Sequence, residues 1–233
     1  MPDALDQFDH FVMRLMSDWT QYSYSALLNK FIVPFLVLFT VKTLPVFAGI
    51  WLLWFSADAA KYRPMIVDGF VGMFLAGAVS RVIQDFLPER LRPLDSGDLD
   101  FRPPLGLKPY MMEQWSSFPS DHAAVFFALS TTVWLVSRPI GAISYAWTIF
   151  IICMPRLFGG VHYASDIIGG AVIGVLVAWF IAPPIGGKLS PYILAAEKKH
   201  TALFYAAFFA LSFQFATLFN DIRHTASEIS KLF

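Results

Sequence analysis

Six apolar stretches, each close to the length that crosses a lipid bilayer, limit what this chain can fold into. They cover residues 31–55, 66–87, 122–136, 140–157, 166–182 and 201–219. A helix needs about 20 apolar residues, each rising about 1.5 Å, to cross the hydrocarbon core. Of all residues, 57% are hydrophobic and 15% are charged, which leaves too little polar surface for a soluble fold. The sequence therefore predicts an all-α integral membrane bundle of about six transmembrane helices.

Residues 1–24 precede these stretches and have a helical pattern of their own. Acidic residues stand where a secretory signal peptide would carry basic ones, and no continuous apolar run follows them. Hydrophobic side chains recur every three or four positions, at Leu5, Phe8, Phe11, Val12, Leu15, Met16 and Trp19. We expect an N-terminal amphipathic interfacial helix here, which either lies in the membrane interface or packs against the bundle.

Charge and cysteine content exclude other classes of protein. Seventeen basic residues balance seventeen acidic ones, so the chain lacks the positive surface of a nucleic-acid-binding protein. Its one cysteine, Cys153, cannot form an internal disulfide, and we expect a buried structural thiol there. The expected partners are therefore membrane lipids and no nucleic acid.

Polar residues gather at three points where apolar stretches end. These clusters are Arg90-Leu91-Arg92-Pro93, then Phe118-Pro119-Ser120-Asp121-His122, and then Pro155-Arg156 followed by His162-Tyr163-Ala164-Ser165-Asp166. Charged residues at the ends of membrane helices are functional candidates. The chain crosses the membrane after the second cluster and returns before the third, so all three are predicted to lie on one face. The connection of residues 88–119 is unusually long for a compact fold, which also favours a functional role.

The third cluster has the spacing of an activated nucleophile. His162 and Asp166 are four residues apart, so they become neighbours on one face if a helix begins near His162. The carboxylate can then bond one imidazole nitrogen while the other nitrogen points into the site. Arg92 and Arg156 carry planar guanidinium groups, which suit the oxygens of a phosphate.

The second cluster adds an anion site and a proton donor. Ser120 precedes a helix start, where backbone N–H groups and the helix dipole favour a bound anion. The imidazole of His122 titrates in a range that allows it to protonate a leaving oxygen. A metal site is the weaker interpretation, because the two histidines have only Asp121 and Asp166 as companions. We therefore expect phosphoryl transfer without a metal or other cofactor.

These motifs resemble those of the type 2 phosphatidic acid phosphatase superfamily over about residues 64–183. That family carries Lys, six residues and Arg-Pro, then Pro-Ser-Gly-His, then Ser-Arg, five residues, His, three residues and Asp. This chain has Arg92-Pro93, then Pro119-Ser120-Asp121-His122, then Arg156, five residues, His162, three residues and Asp166. The resemblance implies a helical bundle that works without a metal.

The resemblance also implies a role for each matching residue. His162 would be the nucleophile that forms a phosphohistidine, and Asp166 would orient it. His122 would protonate the leaving group and later activate water. The phosphate would be held by Arg92, Ser120 and Arg156.

One departure from the family changes the expected phosphate-binding set. Seven positions before Arg92, where the family has Lys, this chain has Asp85. We expect Arg90 to replace the missing cation, with Lys108 or Arg81 as weaker candidates. The nucleophile, the orienting carboxylate and the acid are all retained, so the sequence predicts an active enzyme.

A second departure points to a substrate. Asp121 stands in the position of the family's Gly, as in the subgroup that resembles bacterial undecaprenyl-diphosphate phosphatases, and it joins the expected substrate-binding residues. We expect a lipid phosphatase acting on a polyprenyl diphosphate, with undecaprenyl diphosphate favoured. The alternatives are hydrolysis of phosphatidate, phosphatidylglycerophosphate or a lipid A phosphate, and phosphoryl transfer to another lipid. The alternative without catalysis is a transporter or scaffold that binds lipid phosphate, which would need no oriented nucleophile.

Residues 1–233 are expected to form one membrane-embedded domain, with the interfacial helix at 1–24, the catalytic core at 64–183 and an extra transmembrane helix and tail at 199–233.

Basic residues in short loops favour the cytoplasm. The face opposite the site carries six of them, namely Lys61, Arg63, Arg138, Lys188, Lys198 and Lys199. The chain ends on the site face carry Arg14, Lys30, Arg223 and Lys231.

This charge distribution predicts a bacterial inner (plasma) membrane protein whose active site faces the periplasm or the exterior. This comparison of the two faces leaves out five basic residues on the site face that the site requires, and counting them would give the site face the larger number. They are Arg90, Arg92, Arg102, Lys108 and Arg156. An outward site suits a carrier-lipid diphosphate that is released outside the cell.

Overall fold

The computed structural model describes residues 4–21, 39–97, 99–102 and 116–217, and every regular element in these ranges is a helix. Along them run α1 (Ala4–Gln21), α2 (Phe39–Trp54), α3 (Ala59–Phe86), α4 (Asp121–Val136), α5 (Arg138–Phe158), α6 (Ala164–Lys199) and α7 (Thr201–Ala216). Short π-helical segments interrupt α5 and α6, at Thr148–Cys153 and Val177–Ile181. The expected all-α fold is confirmed for the described residues.

The apolar helices agree with the predicted membrane spans. In the part of the chain that the structure describes, α3, α5 and α6 are both long and apolar enough to cross a membrane. Shorter apolar helices cover Thr43–Trp54, Asp121–Val136 and Thr201–Phe215, within α2, α4 and α7. Together they correspond to the six predicted stretches, of which residues 31–38 and 218–219 lie outside the described ranges.

Helix α6 extends beyond the fifth apolar stretch, which ends near residue 182. Helix α6 continues to Lys199, and its 36 residues extend about 54 Å, well beyond a hydrocarbon core of about 30 Å. Pro183 and Pro184 do not end it. They lie in the first turn of the α-helical segment that begins at Ala182, directly after the π-helical segment, and a first turn does not need their backbone N–H groups. Near the far end, Glu197 accepts hydrogen bonds from Arg63 of α3 at 2.8 Å and from Tyr205 of α7 at 2.6 Å. The extension therefore docks on two other helices.

Helix α4 lies at the centre of the bundle, between α3 and α6. Its first turns bury alanines against α6, and α6 presents Gly170 and Gly174 to them. A Cβ on Gly170 would lie 2.3 Å from the Ser120 carbonyl oxygen, and one on Gly174 would lie 2.3 Å from the Ala124 carbonyl oxygen. Small residues thus let the two backbones approach closely, as is common between membrane helices. This approach brings the start of α4 beside the start of α6.

Helix α1 packs against the bundle through a narrow face. Asp9, Met13 and Ser17 are buried on that face, one helical turn apart. Its exposed side carries large apolar side chains, namely Leu5, Phe8, Phe11, Leu15 and Trp19. A helix that buries polar groups and exposes apolar ones suits a lipid-facing position, so both expectations for residues 1–24 are compatible in this arrangement.

The close approach of α4 and α6 predicts opposite effects for two alanine substitutions in one helix. Gly170→Ala should lower the free energy of unfolding by about 1–3 kcal/mol, because its Cβ would overlap the Ser120 carbonyl oxygen. Gly187→Ala, whose Cβ has nothing within 4 Å, should be neutral or stabilising by up to about 1 kcal/mol through helix propensity. Unfolding of the purified variants in detergent measures both. Equal stability of the two variants would contradict the proposed helix contact.

Candidate active site

The three polar clusters predicted from the sequence meet at one end of the bundle. The backbone N–H of Ser120 donates to the Asp166 carbonyl at 3.0 Å and joins α4 to α6. The N–H of Ser117 donates to the Arg90 carbonyl at 2.9 Å, and the N–H of Leu94 donates to the Gly160 carbonyl at 2.9 Å. The loop after α3, the start of α4 and the connection between α5 and α6 therefore form one site, as the two intervening crossings predict.

The imidazole of His162 is buried and has a defined proton arrangement. Its Nδ1 lies 2.9 Å from the carbonyl oxygen of Ser117, which can only accept a hydrogen bond. The proton therefore sits on Nδ1, and Nε2 carries the lone pair. No hydrogen-bond partner for this buried Nε2 is found among the described residues. This is the state that a nucleophilic histidine needs.

Asp166 holds the start of α6 but does not hydrogen-bond His162 directly. Its Oδ2 accepts from the N–H of Tyr163 at 2.7 Å and lies 3.6 Å from Nδ1 of His162, which is too long for a hydrogen bond. Its Oδ1 accepts from Arg90 at 2.6 Å. The carboxylate therefore acts on the imidazole through its charge, and the Ser117 carbonyl supplies the bond that the sequence interpretation assigned to Asp166.

Arg90 is the cation that bridges two buried carboxylates. Its Nη1 donates to Asp166 and to the hydroxyl of Ser165 at 2.7 Å, and its Nη2 donates to Asp9 of α1 at 2.7 Å. Its guanidinium also lies over the Tyr163 ring, 4.2 Å from the centroid. Burial alone would lower the pKa of Arg90, but the charges of Asp166 and Asp9 outweigh it and raise that pKa. Its expected role in binding phosphate stays a prediction, because these carboxylates engage both terminal nitrogens.

His122 has a carboxylate of its own. Asp121, the preceding residue, accepts from the backbone N–H of His122 at 2.8 Å and lies 2.9 Å from its Nδ1. The other carboxylate oxygen lies 3.6 Å from Nη2 of Arg81. With Nδ1 directed to a carboxylate, Nε2 is the nitrogen that would serve the predicted proton exchange with a substrate. The expected substrate contact of Asp121 stays a prediction.

Two further arginines surround the nucleophile with positive charge. Arg156 is buried in α5, and its carbonyl oxygen accepts from the N–H of Val161 at 3.0 Å, which shapes the turn before His162. Arg92 donates to the Val161 carbonyl at 3.2 Å, and burial lowers the pKa of its guanidinium. Burial also lowers the pKa of His162; Asp166 opposes this shift, while the nearby charges of Arg156 and Arg92 add to it. An anion in this site would meet two partly desolvated cations.

The helix start at Ser120 forms as expected. Ser120 is the N-cap of α4, where its hydroxyl accepts from the N–H of Ala123 at 3.4 Å, and the residue is fully buried. The first turn of α4 thus directs N–H groups toward the site, next to His122. Its expected phosphate contact is a prediction that this geometry favours.

Helix α3 contributes Gln84, which the sequence interpretation missed, and Arg81, which it named as a weaker candidate cation. Asp85, at the position of the family's Lys, is exposed, whereas its buried neighbour Gln84 donates to the Pro119 carbonyl at 2.7 Å. Arg81 donates to the side chain of Gln84 at 2.8 Å and so approaches the site from α3. Lys108, the other candidate cation, lies outside the described residues.

Groups of three or more His, Cys, Asp or Glu side chains able to hold a metal ion are not found in the described ranges. The cationic side chains around His162 are arginines. The expected independence from metals stays a prediction, tested below.

Apolar helices with a buried histidine and arginine cluster at one end define a multi-pass membrane protein with a polar candidate site. The chain belongs to the PAP2 superfamily, whose family model matches residues 66–185. This confirms the family resemblance that the sequence motifs indicate, and the match contains α4, α5 and most of the site.

The chain is similar to parts of two bacterial proteins. The chain is 37% identical over 68 residues to "Bacitracin transport permease protein BcrC" of Bacillus licheniformis. The matched segment covers 28% of this chain and 32% of that protein. It is 23% identical over 154 residues to "Lipid A 1-diphosphate synthase" of Escherichia coli K12, covering 63% of this chain and 65% of that protein. Each match spans less than two thirds of the relative.

A solved structure shares the fold. It is the crystal structure of a transmembrane PAP2 type phosphatidylglycerolphosphate phosphatase from Bacillus subtilis. The TM-score is 0.50 at 18% identity, and the superposition covers 81% of this chain and 89% of the other. At this identity the likeness concerns the fold alone.

The geometry around His162 predicts which substitutions stop the reaction. His162→Ala should reduce turnover of a lipid phosphate by at least about 10³-fold, because it removes the imidazole nitrogen assigned as the nucleophile. Asp166→Asn should cost about 10²–10⁴-fold, because the carboxylate charge beside the imidazole is lost. His200→Ala is the matched control, since His200 is exposed at the far end of α6. Near-normal turnover by His162→Ala would refute the assignment.

The burial of His162 predicts a pH profile. Because burial lowers the pKa of this imidazole below its usual value of 6.5, Nε2 keeps its lone pair in mildly acidic solution. We expect kcat/KM to stay high as the pH falls through 6.5 and to decline only below that value. Initial rates between pH 4 and pH 9, at substrate concentrations well below KM, measure the profile. An acid-side decline centred above pH 6.5 would show that a different group limits the reaction.

Proposed function

We propose that this protein is a membrane lipid phosphatase that hydrolyses a polyprenyl diphosphate, with undecaprenyl diphosphate as the favoured substrate. The observation that carries the proposal is the buried Nε2 of His162, which has no partner among the described residues while Ser117 fixes the proton on Nδ1. A site that only binds phosphate would need the arginines but not an oriented nucleophile.

In the proposed reaction, Nε2 of His162 attacks the terminal phosphorus of the lipid diphosphate. The bond from that phosphorus to the bridging oxygen breaks, and its electron pair goes to the leaving oxygen. His122, protonated on both nitrogens, gives the Nε2 proton to that oxygen, so the lipid monophosphate leaves and a phosphohistidine remains. Arg92 and Arg156 would stabilise the charge that develops on the phosphate oxygens.

The second half of the reaction regenerates the enzyme. His122, now deprotonated at Nε2, removes a proton from water, and the water oxygen attacks the phosphorus of the phosphohistidine. The bond from phosphorus to nitrogen breaks, inorganic phosphate leaves, and the electron pair returns to Nε2 of His162. Asp121, 2.9 Å from Nδ1 of His122, would stabilise the imidazolium in both steps.

Two observations support a polyprenyl diphosphate. Asp121 is the substitution shared with the subgroup of undecaprenyl-diphosphate phosphatases that the motifs resemble. The apolar helices around the site offer a path for a long lipid tail while the diphosphate reaches the polar end of the bundle.

The relatives also support two other candidates. The name of the Escherichia coli relative describes synthesis of a lipid diphosphate, which the same phosphohistidine would serve if a second lipid replaced water as the acceptor. The other relative is called a transport permease, which corresponds to the alternative of binding without catalysis. Phosphatidate, phosphatidylglycerophosphate and a lipid A phosphate are the alternative substrates for hydrolysis.

Purified protein in detergent, incubated with each of these lipid phosphates and assayed for inorganic phosphate, tests the proposal. We expect the highest kcat/KM for undecaprenyl diphosphate and no release by His162→Ala. Preference for another lipid would reject the favoured substrate but keep the phosphatase. Transfer of label to an added lipid without release of phosphate would identify a phosphotransferase, and inactivity toward every lipid would favour the transporter.

The proposed chemistry predicts independence from divalent metal ions. Arg92 and Arg156 would supply the positive charge that Mg²⁺ supplies in many other phosphoryl-transfer enzymes, so activity should survive EDTA within about twofold. Vanadate, which adopts the five-coordinate geometry of the transition state, should inhibit. Phosphate release in the presence of each reagent measures this. Loss of activity in EDTA that Mg²⁺ restores would contradict the proposal.

The basic residues predict that the site faces outward from a bacterial plasma membrane. The six basic residues counted for the opposite face belong to the ends of α3, α5 and α6 that lie away from His162. Alkaline phosphatase and green fluorescent protein, fused in turn to Phe233, report the side of the C-terminus. We expect the alkaline phosphatase fused to Phe233 to be active and the green fluorescent protein fused there to be non-fluorescent. The opposite pair would place the site in the cytoplasm.

A further inference from the structure

A buried carboxylate of α1 lies within the hydrogen-bond network of the candidate active site. Asp9 is fully buried, and its Oδ1 accepts from the backbone N–H of Ser165 at 2.9 Å. Its Oδ2 accepts from the Ser165 hydroxyl and, at 2.7 Å, from Nη2 of Arg90. Helix α1 lies outside the residues 66–185 that match the family model, so these contacts come from a part of the chain that the family motifs do not cover.

The partners of Asp9 are the direct neighbours of Asp166. Ser165 precedes Asp166 in the first turn of α6, and Arg90 donates to Asp166 with its other terminal nitrogen at 2.6 Å. One guanidinium is therefore shared by two buried carboxylates, and each carboxylate fixes one of its ends. Such a fork geometry allows little freedom to a side chain that is bonded on both sides.

These contacts fix the backbone that carries the nucleophile. The first turn of a helix has N–H groups without partners inside the helix, and a carboxylate there is favourable. Asp9 takes the N–H of Ser165, and Asp166 takes the N–H of Tyr163, one residue after His162. The backbone N–H groups of Tyr163 and Ser165 are thus held by two carboxylates from different helices.

We propose that Asp9 is a positioning residue of the active site, which acts through Arg90 and Ser165 to hold Asp166 and His162 in their reactive arrangement. This inference rests on the proposed phosphatase function. It makes α1 part of the catalytic unit through Asp9, which acts on other side chains of the site and not on the substrate. A simple anchoring role for α1 would predict an effect on stability alone.

The test compares two isosteric substitutions in the same helix. Asp9→Asn keeps the size of the side chain but removes the charge shared with Arg90, and it should lower kcat about 10–100-fold with KM changed less than about twofold. Asp18→Asn removes an equal charge at an exposed position of α1 and should leave kcat unchanged. Initial rates of phosphate release by the purified full-length variants measure both constants.

A double-mutant cycle separates positioning from anchoring. If Asp9 acts through Asp166, Asp9→Asn should lower kcat less than about twofold once Asp166→Asn is present. Multiplicative losses in the double variant would overturn the proposal. Ser165→Ala keeps the contact between Asp9 and Arg90 and should lower kcat about threefold to tenfold in the wild-type background. In the Asp166→Asn background, the same substitution should leave kcat unchanged.

The remaining outcomes are also distinguishable. If Asp9→Asn does not fold, as judged by size-exclusion chromatography, the two Ser165→Ala measurements decide. Wild-type protein that releases phosphate while Asp9→Asn behaves like Asp18→Asn would contradict this inference and leave the phosphatase intact. Wild-type protein that releases no phosphate from any lipid would refute the proposed function itself.

Discussion

The site depends on Asp166, which connects three separate parts of the chain. Its backbone carbonyl accepts from Ser120 at the start of α4, and its carboxylate accepts from Tyr163 and from Arg90 in the loop after α3. The same carboxylate lies 3.6 Å from the Nδ1 atom of His162. A buried carboxylate is costly unless it is paired and hydrogen-bonded, so Asp166 needs these partners to remain buried and charged. Removing the charge would weaken its contacts with Arg90 and Tyr163 and its electrostatic effect on His162.

The bilayer explains why polar groups concentrate at one end of the bundle. Helices satisfy their own backbone groups in an apolar solvent, so the central helices can be built from small and apolar residues that pack closely. Gly170 and Gly174 bring α6 within contact of the α4 backbone, and this contact places the two helix starts side by side. The polar groups of the site then lie at the end where both helices begin. The close packing of α4 and α6 inside the membrane therefore determines the geometry of the site at the membrane surface.

The sequence could predict the parts of this arrangement that follow from length and spacing. The meeting of the clusters depends only on two membrane crossings between His122 and Arg156, and the proximity of His162 to Asp166 depends only on helical periodicity. The Ser117 carbonyl could not be predicted, because a backbone oxygen has no residue type that marks its direction. Asp9 was missed because its partners are 81 and 156 residues away, and no local pattern separates it from the other acids of α1. The continuation of α6 past two prolines depends on a π-helical segment that no periodicity indicates.

The steric course of the reaction at phosphorus tests the role of His162 most directly. A lipid diphosphate whose terminal phosphorus is made chiral with sulfur and oxygen isotopes is hydrolysed by the wild-type protein, and the configuration of the released thiophosphate is determined. Attack by His162 followed by attack of water inverts the phosphorus twice, so the account predicts overall retention. Overall inversion would mean that water attacks the substrate directly, and it would contradict the covalent role assigned to His162.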